Sequence, residues 1–137
     1  MQLLCPGEPA QYFFFSSNPP AFLYYSHFIA ILAAVIFVLL LIPRVRESIA
    51  IKLYLAIVFF FTAWTVIDVL LWASIRPDVI LFSWSLQILL ELLLYVSAFY
   101  FAYVFIAQKD LGFFGEIGLF ILLIPIIVIL PTSYLLP

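Results

Sequence analysis

Four apolar stretches, at about residues 21–42, 49–73, 79–106 and 113–130, take up most of this chain, and the charged residues gather in the short segments between them. Each stretch meets the roughly 17 to 25 residues that a helical crossing of a bilayer needs. Water cannot be the solvent for them. Of 137 residues, 69% are hydrophobic and 9% are charged, against about 25% charged in ordinary soluble domains, so a soluble fold of this size has too little interior to hide the runs. The expected fold is therefore all-α: a polytopic membrane bundle of four transmembrane helices over residues 19–137, preceded by an external N-terminal tail over residues 1–18.

Helix punctuation agrees with these limits. Asn18 before Pro19 and Pro20 is a start signal, because asparagine caps exposed N–H groups and proline suits a first turn. Pro43 to Ser48, Ser74 to Asp78 and Gln108 to Gly112 supply the turns, and Pro77 suits the start of the third helix. Pro125 falls inside the fourth run, where a missing backbone donor is expected to bend the helix. In the leading tail, the cluster Tyr12 to Phe15 is expected at the headgroup level.

Basic residues set the expected orientation. Arg44, Arg46, Lys52 and Lys109 share one side, Arg76 stands alone on the other, and the tail has none. The positive-inside tendency then puts the first group in the cytoplasm and both chain ends outside. The net charge of −2 gives no reason to expect nucleic acid. The expected setting is a prokaryotic plasma membrane, with membrane lipids and either further copies of the chain or a larger membrane protein as partners.

Ionisable groups inside the runs are few, which is why they carry the functional expectation. A carboxylate at a helix centre costs roughly 2.5–3.5 kcal/mol on insertion scales, so Glu91, midway along the third run, is expected to turn toward other helices. Trp84, Gln87, Glu91 and Tyr95 recur at steps of three, four and four and are expected to form one polar seam. By depth, Asp68 lies roughly 9 Å and Glu91 roughly 18 Å below the outer surface, with Gln87 between them. A pocket in the outer half is thus expected from Asp68, Trp72, Trp84, Gln87, Glu91 and Tyr95, with His27 at its rim. The competing reading is that Asp68 bonds Gln87 or a tyrosine and simply fixes helix packing.

Several chemistries are set aside. One histidine and one cysteine, His27 and Cys5, fall in different environments, so no metal or haem site is expected and no cofactor is called for. A Ser/His/Asp triad would rest on His27 alone as its base. The glycines are scattered and form no phosphate loop, and Gly115 and Gly118 miss the four-residue spacing of the GxxxG motif. Rings at Phe99, Tyr100, Phe101, Tyr103 and Phe105 suit an ordinary interfacial belt.

Taken together, the external start, the Arg44–Arg46 turn, the AWTVIDVLLWAS segment ending at Ser74, FSWSLQILLELLLYVSAFYFAYVF at Phe82–Phe105 and LLIPIIVILPTSYLL at Leu122–Leu136 resemble the N-terminal seven-helix membrane region of bacterial and archaeal sensor histidine kinases. The resemblance implies a two-component sensing domain that passes a ligand-induced shift through its helices. Only four of the seven helices are represented, and no catalytic segment, so the chain is expected to be a non-enzyme. The resulting expectation is a membrane sensing or signal-relay domain; the alternative is a structural or accessory subunit of a larger membrane complex.

Overall fold

The computed structural model describes residues 19–45 and 48–129. The tail expected over residues 1–18, Arg46, Glu47 and the closing segment 130–137 lie outside the described residues. Among the described residues every regular element is helical: α1 Ala21–Leu41, a single 3-10 turn Ile42–Arg44, α2 Ile49–Ala73, α3 Pro77–Ala107 and α4 Gly112–Ile129. These limits fall within a residue or two of those expected from the sequence. Hydropathy places the runs and turn chemistry ends them.

Local signals account for the boundaries. Ser48 is the N-cap of α2, and its hydroxyl accepts from the Ala50 N–H at 3.2 Å, satisfying one of the orphan donors of a helix start. Arg76 precedes α3, Pro77 opens it, and the Arg76 guanidinium bonds Asp78 in the first turn. That exposed pair holds the Arg76 guanidinium above its usual pKa, chiefly through the side-chain hydrogen bond to Asp78. At the other end of α3, Gln108 adopts a left-handed conformation with φ 53° and caps the helix through its N–H to the Val104 carbonyl. The chain then turns into α4 through Gly112 at φ 73°, a backbone setting that glycine occupies without the Cβ penalty. Tyr100 donates its hydroxyl to Asp110 Oδ1, which also accepts from the Leu111 N–H, so this turn is fastened back onto α3.

Three helical segments are long and apolar enough to cross a membrane: Ala21–Arg44, Ile49–Ala73 and Pro77–Ala107, with mean hydropathies of 2.6, 2.1 and 2.0. At 31 residues α3 is about 47 Å long, so it extends past a core of about 30 Å or tilts within it. The fourth helix has 18 described residues, about 27 Å, and continues through Pro125.

Packing is uneven. The α2–α3 pair is the most extensive contact, α1 lies against α2, and α4 meets α3. The buried residues of α2 and α3 are small or branched: Ala73 is fully buried, and Thr65 and Ser83 nearly so, with Val58, Val69, Leu90 and Val104. This suits a bilayer, where close van der Waals contact replaces a hydrophobic drive between helices. Thr62 and Thr65 return their hydroxyls to their own helix, at 2.7 Å to the Val58 carbonyl and 2.8 Å to that of Phe61. Toward the N-terminal end of α2 the rings of Tyr54 and Phe101 meet with centroids 5.9 Å apart. Along α1, by contrast, Ala34 is the buried residue. An open apolar groove of about 370 Å³ runs between its C-terminal half and α2, lined by residues including Val35, Val38, Val58 and Thr62. So α2 and α3 form a closely packed pair, and α1 rests on it loosely.

Candidate functional site

Antiparallel order brings the N-terminal end of α1, the C-terminal end of α2 and the N-terminal end of α3 together, and there the three helices share one polar cluster. His27 lies in the second turn of α1, Asp68 in the second turn from the end of α2, and Gln87 in the third turn of α3. His27 Nε2 is 2.8 Å from Asp68 Oδ2. Gln87 Nε2 donates to Asp68 Oδ1 at 3.1 Å. The histidine and aspartate side chains are 17% and 16% exposed, so the contact is mostly withdrawn from its surroundings.

Hydrogen-bond chemistry fixes much of the proton arrangement. His27 Nδ1 lies 2.8 Å from the Leu23 carbonyl, an acceptor with no proton to offer, so Nδ1 carries a proton and donates it there. Ser26 donates to the same carbonyl at 2.9 Å and stands 3.2 Å from Nδ1. With Nδ1 committed, the Nε2–Oδ2 contact needs one further proton between its two atoms. Either the imidazolium donates to the carboxylate, or the carboxylic acid donates to the imidazole. The pair is neutral as a unit in both arrangements, which makes it tolerable beneath a membrane surface. The groups facing the pair are Leu23 and Ser26 of α1 and Gln87 of α3.

Of the seven residues expected at the pocket, the structure joins His27, Asp68 and Gln87 and separates the other four. Glu91 does not face the other helices. It is exposed, and its hydrogen bond is to Tyr95 of the same helix, the phenol donating to Oε1 at 3.1 Å. Tyr95, Trp84 and Trp72 are also exposed, at 63%, 51% and 50%. The expected seam of Trp84, Gln87, Glu91 and Tyr95 therefore divides, and helical geometry explains how. At about 100° per residue, the buried positions Ser83, Leu90 and Val104 centre on one direction of α3, with Gln87 about 60° from it and Glu91, Trp84 and Tyr95 about 100° to 140° away. Small and branched residues chose the packing face, and the polar residues followed where rotation left them.

His27 moves the opposite way, from the rim to the centre of the cluster. The Leu23 carbonyl and Ser26, which lie against its ring, were not expected from the sequence. One turn deeper on α2 the Trp64 indole N–H is buried with no acceptor among the described residues. No three His, Cys, Asp or Glu side chains among the described residues come together as a metal ion requires.

Comparison with known proteins adds no relative: no family model, no characterised protein and no solved structure matches the chain.

Proposed function

We propose that this chain is an integral membrane sensing or signal-relay domain whose responsive element is the His27–Asp68–Gln87 cluster. The observation that carries this reading is the 2.8 Å contact between Nε2 of His27 and Oδ2 of Asp68. Through it the loosely packed α1 is tied to α2, and through Gln87 to α3. A ligand that competes for either partner has different affinity for the tied and the released arrangement. That difference is what a two-state relay requires. Release frees the outer end of α1 to swing on its apolar contacts, and the groove along its inner half leaves room for the swing.

In this reading α4 is a fourth span, and the N-terminus lies outside. The cytoplasmic side carries Arg44, Arg46, Lys52 and Lys109. The cluster then opens to the external face, where an environmental signal arrives. A role like that of the membrane part of a sensor histidine kinase is consistent with it. The accessory-subunit reading draws on a different observation, the outward-facing Glu91, which suits a chain that packs against another membrane protein.

The test is a distance. Spin labels on the first turn of α1 and the last turn of α2, in the full chain in vesicles, should report a wider separation in Asp68→Leu than in the native sequence, with helix content preserved. An Asp68→Leu chain whose label distance equals the native one rules the relay out.

A further inference from the structure

We infer that α1 is a lever that pivots on Ala34: when the His27–Asp68 tie opens, the C-terminal half of the helix closes onto α2. Ala34 is the buried residue of α1, 7% exposed. It stands seven residues after His27 and seven before Leu41, the last residue of the helix, so each arm is about 10 Å long. The two arms meet α2 differently. One is fastened by the 2.8 Å contact between His27 Nε2 and Asp68 Oδ2. The other faces the open groove of about 370 Å³, which has Val38, Leu39 and Ile42 on one wall and Leu55, Val58 and Phe59 on the other.

Ala21–Leu41 contains neither proline nor glycine, the usual sites of a helix kink, so α1 turns about its closest contact as one body. What withdraws the His27 end from α2 brings the Leu41 end toward it. The groove supplies the reason for the turn. Its apolar walls stand apart and forgo the van der Waals contact that holds helices together in a bilayer. With the tie made, the N-terminal arm is held to α2 and the C-terminal arm stands off; with the tie broken, closing the groove recovers that contact. The 3-10 turn Ile42–Arg44 follows directly on Leu41, so the movement reaches the basic segment that joins α1 to α2. The lever rests on the relay reading of the tie and adds to it a direction and an output.

The experiment uses the full chain in lipid vesicles, with Cys5→Ser as background and two pairs of spin labels. One pair sits on the first turn of α1 and the last turn of α2; the other replaces Leu40 of α1 and Lys52 of α2, both exposed. Asp68→Leu should widen the first distance and shorten the second, each by about 1–2 Å, the scale of helix shifts at packed interfaces. His27→Leu, which breaks the same contact from α1, should do likewise. Val38→Trp, which fills the groove from the α1 side, should abolish the shortening when combined with Asp68→Leu. Circular dichroism should show every variant as helical as the native chain. A second distance that stays fixed or widens while the first widens overturns the lever and leaves the relay standing, and a shortening that survives Val38→Trp overturns it as well. A first distance that does not change removes the relay and the lever together.

Discussion

Deleting one member of the His27–Asp68 pair should cost nearly as much as deleting both. His27→Leu leaves Asp68 with Gln87 alone as a donor, in a site where the carboxyl is 16% exposed. Two limits bracket the loss. Interhelical hydrogen bonds in membranes average about 0.6 kcal/mol with a maximum of about 1.7, whereas breaking a fully buried ion pair costs about 3–5 kcal/mol. Asp68 lies five residues before the end of α2, only about 8 Å along the helix axis, where relaxation toward headgroup water relieves part of the penalty. We therefore expect about 1.5 kcal/mol for His27→Leu and about 2 kcal/mol for Asp68→Leu, which also strands Gln87. The double variant should stay near 2 kcal/mol, because two leucines facing each other add no unpaired group beyond the Gln87 amide that Asp68→Leu already strands, giving a coupling of about 1.5 kcal/mol. Reversible unfolding in mixed detergent micelles, monitored by the helical signal, gives all three values. Additivity of the single variants to within about 0.5 kcal/mol would mean that the 2.8 Å contact carries no energy of its own, and the relay would lose its physical basis.

Other consequences follow from packing and orientation. Ala73 is fully buried where α2 meets α3, so Ala73→Leu should overpack that contact and cost about 1–3 kcal/mol in the same unfolding assay; a neutral result would show that the two helices are not in close contact there. Gly112 has φ 73°, and Gly112→Ala should cost about 1 kcal/mol through backbone strain, although nothing lies within 4 Å of the added Cβ. For the orientation, a membrane-impermeant maleimide should label Cys5 in right-side-out vesicles and miss it in inverted ones; the reverse pattern would turn the assigned topology over.

What the sequence revealed and what it hid divide along a physical line. Helix limits were readable because prolines, capping residues and charges act locally, and a neighbour cannot undo them: Ser48, Pro77 and Gly112 stand where their chemistry requires. Depth was readable too, since antiparallel order and rise per residue place Asp68 beside Gln87 without any knowledge of packing. Rotation about the helix axis was not. The sequence was read as though its polar residues marked the inward face, but in lipid an inward face is chosen by how closely backbones can approach, and Ser83, Leu90, Thr65 and Ala73 decided it. Hydropathy cannot report this, because apolar residues cover every side of these helices alike.

That separation of depth from direction also explains why the two polar groups of α3 have different uses. Gln87, about 60° from the packing direction and in the outer half, reaches α2 and is used up within the chain. Glu91, one turn deeper and about 100° away, meets no other helix among the described residues and has Tyr95 of its own helix as its hydrogen-bond donor. Rotating α3 to bring Glu91 inward would carry Ser83 and Leu90 off the α2 contact and break the Gln87–Asp68 bond. The inward ties and the outward acid are therefore two results of one helix rotation. A variant that weakens the α2–α3 contact, such as Ala73→Leu, should disturb the cluster, whereas Glu91→Leu should leave the His27–Asp68 coupling where it was.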